Sequence, residues 1–400
     1  MKLVIAMLFL AAAFTATAAE ASRPRIGLVL AGGGAKGSAH IGVLKVLEEL
    51  RVPIDAIAGT SMGALVGGGY AAGLSAAEME HAVTSVDWNQ LFDDDPPRAE
   101  WPMRRKEQSL NPTFGFSIGR RDGELRLPKG AISGQKVLLY LSDLTAGAEG
   151  VERFDQLPIP FRAVATDLET GEMVVFDRGP LPFAMRASMA VPGVFAPWET
   201  DDRIYVDGGL VRNLPDDIAR AMDVDRLIVV KLDSNPPTRE QLSTVLGSIG
   251  QMINFVFAQN EERSLAEIDA PRDILVTPQL GDIGPGDFDR GPEAIATGVE
   301  AARRVSDQLA RLGVSPAEYA AWRTSVERRR EPVEQIDEVR VVGLERVNAG
   351  LFEPVVQRHE GKPLDRSQLE SDLSRLYGRG DFERVNYRIE REGGRNLLIV

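Results

Sequence analysis

Between residues 25 and 280, short uninterrupted apolar runs alternate with segments of helical periodicity, and this alternation constrains the fold more than any other feature of the chain. Residues 25–31 (RIGLVLA) lack the every-other-residue polarity of a half-exposed strand, so they read as a strand covered on both faces. Ile41, Leu44, Leu47 and Leu50 then recur at near-helical spacing. Residues 54–58 form a second strand, and the small-residue run 62–73 suits a helix packed tightly on a sheet. Further strands are expected at 161–166, 203–206, 226–232 and 274–278, with a long helix over about 239–267. Repetition of strand, crossover helix and strand gives an α/β domain with a mostly parallel sheet. From Trp88 to Gly123 the periodicity fails, through Asp93, Asp94, Asp95, Pro96 and Pro97, and this stretch reads as an excursion from the sheet.

Two glycine-rich turns fall where such a sheet places chemistry. Gly32, Gly33, Gly34, Ala35, Lys36 and Gly37 lie between the first strand and the first helix. Glycines let backbone N–H groups approach an anion, and the helix N-terminus adds its dipole, so the loop suits a phosphate or a developing oxyanion. The run also fits G-x-G-x-x-G, the mark of a nucleotide-binding oxidoreductase. That reading asks for an acid at the end of the second strand, where this chain has Gly59 and Thr60, with Asp55 at the strand's start. A phosphate-binding P-loop is excluded because Lys36 precedes Gly37 instead of following it. The second turn decides between these readings. Gly59-Thr60-Ser61-Met62-Gly63 is G-x-S-x-G, after a strand and before a helix, so a sharp turn would expose the Ser61 hydroxyl with the small Gly59 and Gly63 on either side.

A serine nucleophile needs a base, and composition limits the choice. The chain has three His and no Cys. His40 lies in the first helix and reads as a packing or hydrogen-bonding residue near the Gly-rich loop. His81 reads as surface, and His359 falls in a separate C-terminal segment. A carboxylate remains: Asp207, followed by Gly208 and Gly209, closes the 203–206 strand. On sequence alone, Asp207 is as well explained as a turn residue as it is as a base. The absence of Cys removes Cys-based zinc, iron–sulfur and disulfide frameworks, three His leave little for a His-rich metal site, and no metal or cofactor is expected.

Taken together and in this order, the three motifs resemble the patatin-like phospholipase family, over about residues 25–290, including Ala165-Thr166-Asp167-Leu168 and Ser188-Met189-Ala190-Val191-Pro192-Gly193. The resemblance implies a three-layer αβα sandwich and a Ser-Asp dyad of Ser61 and Asp207. It implies an oxyanion hole at Gly33, Gly34 and Ala35, and cleavage of phospholipid or lysophospholipid acyl esters. Many relatives carry Arg where this chain has Lys36, which keeps the charge and loses the fork geometry.

Both ends differ from this body. Lys2, an apolar run over residues 3–14 and small residues to Ala19 read as a signal peptide (1–19), which implies export to the periplasm, outer membrane or beyond. Charged residues 327–332 mark a boundary, giving domains 20–330 and 331–400, with 292–330 helical. In the last segment strands are expected at 339–342, 385–389 and 397–400. Helices are expected at 349–357 and after Asp365, the latter with Leu369, Leu373 and Leu376 as its stripe and Gly378 as its stop. This small α+β module, β-α-α-β-β, resembles a POTRA domain. A patatin followed by such a module resembles the secreted part of bacterial patatin-like autotransporters, in which an outer-membrane barrel comes next. The rival reading is a non-catalytic POTRA-mediated interaction protein, against which Ser61 and Asp207 argue. The net charge of −13 opposes nucleic-acid binding. Trp88, Trp101, Phe114 and Phe116 with Arg104, Arg105 and Lys106 read as a core-covering loop or, more sharply, as a lid for peripheral membrane contact. Leu246, Ile249, Ile253, Phe255, Val256 and Phe257 read as core or as an acyl groove or dimer contact.

Overall fold

The computed structural model describes residues 23–95, 98, 101, 103–108, 119–121, 124–126, 130–200, 202–233, 235–270, 272–345 and 347–400. The segment 1–19 read as a signal peptide, Phe114 and Phe116 lie outside the described residues, as do the side chains of Arg104, Arg105 and Leu246.

One eight-stranded sheet organises the first 280 residues. Its strands are β1 (Ile26–Leu30), β2 (Ala56–Thr60), β3 (Phe161–Asp167), β4 (Met173–Phe176), β5 (Trp198–Glu199), β6 (Ile204–Asp207), β7 (Arg226–Val230) and β8 (Ile274–Val276). The order is β8-β7-β1-β2-β3-β6-β5, with β4 on β3. The first five strands of that path are parallel, as the alternation predicts, and β4, β5 and β6 are antiparallel. β1 is buried on both faces: Ile26, Leu28 and Leu30 enter the larger core, and Val29 enters the smaller one with Leu227, Val229 and Leu214. Helices α1 (Ala39–Glu49), α2 (Met62–Ala71), α3 (Gln135–Leu144), α4 (Leu181–Ser188) and α6 (Gly291–Arg304) contribute to the larger core. The short helix Asp216–Arg220 and Leu265 of α5 (Val245–Glu267) cover the other face. The sheet therefore has helical cover on both sides.

The edges of β3 position the site. One edge is taken by β4, which pairs with residues 163–166. Because β4 overlaps both other partners, β2 (paired with 161–164) and β6 (paired with 165–167) share the opposite edge end to end. β2 arrives from one direction with Thr60 beside Val164, and β6 arrives from the other with Asp207 beside Ala165.

Several boundaries differ from expectation. The second strand begins at Ala56 instead of residue 54 because the Asp55 carboxylate turns to Arg23 and the Ile26 N–H. The stretch 292–330 is broken into Gly291–Arg304, Ser306–Ala310 and Pro316–Arg328; Gly313 lies against the Leu50 carbonyl and Ser315 opens a new capping box with Glu318. In the C-terminal segment, β9 (Glu338–Arg340), β10 (Arg388–Glu392) and β11 (Arg395–Ile399) form one sheet in the order β9-β11-β10. Helices α7 (Glu353–His359) and α8 (Arg366–Tyr377) pack there around Leu369, Leu373 and Leu398. Val385 is not in a strand: the Gln135 amide accepts from its N–H at 3.0 Å and donates to its carbonyl, replacing the ladder. Among the described residues no helix is long and apolar enough to cross a membrane.

Candidate active site

Ser61 sits at the turn between β2 and α2 with φ 54° and ψ −123°, a conformation disfavoured for a residue with a side chain. Two glycines permit the turn. A Cβ on Gly63 would meet the Leu30 carbonyl oxygen at 2.2 Å, and one on Gly59 would meet the Gly63 carbonyl oxygen at 2.4 Å. The Ser61 N–H donates to Ser188 Oγ (2.8 Å), whose own proton goes to the Val164 carbonyl (2.6 Å). That N–H is therefore committed to holding the elbow.

Asp207 faces this turn from the end of β6 and is fully buried. Its Oδ1 accepts the Gly209 N–H at 2.8 Å, whereas Oδ2 has no hydrogen-bond partner. Burial pushes the carboxyl up to about 6, opposed by the neighbouring Ser61 hydroxyl and the Gly209 N–H. The Ser61 hydroxyl therefore favours the charged form of the Asp207 carboxyl, whose Oδ2 is otherwise left without a partner. Gly208 lets the chain pass the Val164 carbonyl, where a Cβ would come to 2.1 Å.

The loop over residues 32–37 turns into the 3-10 segment Gly34–Ser38 that leads into α1. Gly32 N–H donates to Asn213 Oδ1 at 3.1 Å, and Ala35 N–H donates to the Pro285 carbonyl at 2.8 Å. The Ala35 N–H, expected in the oxyanion hole, is therefore engaged, and the N–H groups of Gly33 and Gly34 lie between two pinned neighbours. Gly37 leaves room for Met62, whose Cγ would lie 2.2 Å from a Cβ there. Burial lowers the Lys36 ammonium pKa, while Glu261 and Asp233 oppose that shift. Burial likewise raises Glu261, against Asn213, Lys231 and Lys36.

His40 is buried, bonded through Nε2 to the Ala31 carbonyl at 2.8 Å and pushed down to about 4 by burial, so it acts as a tie beneath the loop. His81 is exposed, and His359 is buried in the C-terminal core 3.5 Å from Asp372. Trp88 is buried and stacks on Phe288 at 4.6 Å. The core reading of the 246–257 run fails on α5: Met252 and Phe255 are 66% and 60% exposed, while Phe257 packs against Gly209 at the site. Four residues at the site drew no role from the sequence: Ser188, Asn213, Asn260 and Glu261. Ser188 opens the run Ser188-Met189-Ala190-Val191-Pro192-Gly193 that carries the family resemblance, and Asn213 follows soon after Asp207-Gly208-Gly209, while no pattern marked Asn260 or Glu261. No group of three or more His, Asp or Glu that could hold a metal ion occurs among the described residues.

Residues 28–220, which hold the serine elbow, the buried carboxylate and the glycine loop, match the family model of patatin-like phospholipases. Over these residues the chain is similar to that family. An uncharacterised NTE family protein of Mycobacterium tuberculosis is 35% identical over 257 residues, 64% of this chain and 61% of that protein. Patatin-like phospholipase domain-containing protein 6 of Mus musculus is 31% identical over 215 residues, 53% of this chain and 14% of its own length. The chain thus spans less than two thirds of the relatives it matches. Among solved structures, VipD of Legionella pneumophila aligns with a TM-score of 0.41 at 15% identity, covering 71% of this chain and 67% of that one. ExoU aligns at 0.35 and 16%, covering 73% and 54%.

Proposed function

We propose that the protein is an exported serine acyl hydrolase that cleaves phospholipid or lysophospholipid acyl esters. The observation that carries this reading is the juxtaposition of the strained Ser61 with the buried, half-satisfied Asp207. Asp207 takes the Ser61 proton as Oγ attacks the ester carbonyl, and the N–H groups of Gly33 and Gly34 stabilise the oxyanion. Collapse passes that proton to the departing alcohol and leaves an acyl-serine. Water then attacks the acyl carbon, giving its proton to Asp207 and from there to Ser61 Oγ, and the fatty acid departs. Support for a lipid substrate comes from the patatin-like domain, and Met252 and Phe255, exposed on the helix that walls the site, fit peripheral contact with a membrane. The segment 1–19 supports export, and the β-α-α-β-β order supports a POTRA-like role in attachment.

A fluorophosphonate probe tests the reading. It should label the full chain at Ser61 and block hydrolysis of a lysophospholipid, with Ser61→Ala losing both. Hydrolysis that survives Ser61→Ala would remove the dyad, and labelling without turnover of any phospholipid would limit the activity to simpler esters.

A further inference from the structure

The hydrogen bonds that reach the glycine loop and the Asp207 turn from α5 pass through one residue, by its side chain to the loop and by its backbone N–H toward the turn. Asn213 is 2% exposed. Its Oδ1 accepts from the Gly32 N–H, its Nδ2 donates to Glu261 Oε1, and its backbone N–H donates to Asn260 Oδ1 at 2.9 Å. Asn260 in turn donates to the Gly209 carbonyl at 2.7 Å, and the Gly209 N–H donates to Asp207. An unbroken path therefore links the loop that faces the oxyanion to the carboxylate that takes the proton.

Three consecutive glycines give this loop more conformational freedom than any other residues would, so something outside it must fix its course. The Pro285 carbonyl pins it at Ala35 and Asn213 pins it at Gly32, with the Gly33 and Gly34 N–H groups between them. The fit at Gly32 is close: a Cβ would lie 2.6 Å from Asn213 Oδ1 and 2.9 Å from Ser61 Cβ, so glycine, amide and nucleophile are packed in one line. We propose that Asn213 is the positioning residue that holds the oxyanion loop in register with Ser61 and Asp207, a proposal that rests on the site reading above. Its side chain touches no reacting atom and acts through Gly32, held in place by Glu261, while the link to Gly209 runs from its backbone N–H through Asn260.

The test uses the full chain with Asn213→Ala and Asn213→Asp, a soluble nitrophenyl ester, and active-serine titration with a fluorophosphonate. Asn213→Ala should lower kcat per titratable serine about a hundredfold, the scale of a ~1 Å misplacement in an active site. KM should stay within about threefold and the pH midpoint set by Asp207 should not move, because ground-state binding and the base are untouched. Asn213→Asp, protonated beside Glu261, reproduces the acceptor for Gly32 and the donor for Glu261, and should restore at least about tenfold of the loss. Asn213→Ser, too short to reach Gly32, replaces the alanine variant if that protein does not fold, with the same loss expected. The proposal is overturned if kcat stays within about threefold, if Asp gives no rescue, or if activity falls only with the titratable fraction. Hydrolysis surviving Ser61→Ala would instead remove the site itself, a result these variants do not mimic.

Discussion

A carboxylate that must be charged to work, yet is buried, makes Asp207 an energetic cost to the fold. With its carboxyl raised to about 6, the base loses its charge as pH falls, so kcat/KM should decline below about pH 6 and level off above it. A profile flat down to pH 4 would contradict the assignment. Stability runs the other way. A carboxyl whose folded pKa lies above its unfolded value of 3.8 contributes stability fully below about pH 4 and loses it as pH rises through 6. Asp207→Asn should therefore abolish turnover and raise the melting temperature at pH 8, by a free energy of about 3 kcal/mol for a shift of this size. The gain should shrink toward pH 4. Ser61 stores a second cost, since positive φ for a residue with a Cβ is worth about 1–3 kcal/mol. Glycine relieves it and alanine does not, so Ser61→Gly should melt higher than Ser61→Ala although both are inactive.

How tightly the elements pack around the elbow can be read from its glycines. At Gly63 an added methyl meets the Leu30 carbonyl, a backbone atom of a central strand, at 2.2 Å. At Gly68, one turn and a half along the same helix, it meets Met185 Sδ at 2.6 Å, the flexible part of a side chain. Gly63→Ala should force α2 off β1, lowering both melting temperature and turnover, while Gly68→Ala should fold and retain turnover within a few-fold; equal losses would mean that helix-sheet distance does not matter here. Strands β1, β2, β3, β6, β7 and β8, the two glycine turns and the Asp207 turn were legible because apolar runs and G-x-S-x-G mark local backbone needs. β4, β5, α3 and α4 were not, because their residues mix polarity in ways that make sense only against their partners. Val385 shows the same limit: its alternation with Tyr387 and Ile389 is strand-like, yet a glutamine 250 positions away supplies the hydrogen bonds. The roles of Asn213 and Ser188 were invisible for a related reason, since a buried polar side chain is recognised by what it holds.

Across the whole molecule, the C-terminal unit is fastened to the α/β body by part-buried polar contacts. Arg366 pairs with Glu149 through both oxygens, Arg384 lies 4.3 Å over the Trp198 ring, and Ser133 bonds Tyr377 at 2.8 Å. Leu139 of α3 sits in the C-terminal core. Burial raises the Glu149 carboxyl and Arg366 opposes that rise, so Arg366→Ala leaves a buried acid without its cation, at a cost of order 3 kcal/mol. Differential scanning calorimetry should show the whole transition shifting down; loss of a separate small transition alone would mean the two units melt independently. The meeting of β2 and β6 on one edge of β3 has a consequence in time. The proposed nucleophile and base, Ser61 and Asp207, are 146 positions apart, and α5, which bears Asn260, follows still later. A chain emerging from synthesis, or returning from denaturant, fixes its serine turn only when Ser188 and Val164 arrive, and brings Asp207 to it only when a strand from still further along the sequence docks head-on in the remaining half of that edge. Such non-local closure is slow. Esterase activity regained after dilution from urea should therefore lag behind helix recovery and keep pace with tertiary fluorescence, so that every incomplete form of the chain is harmless to acyl esters.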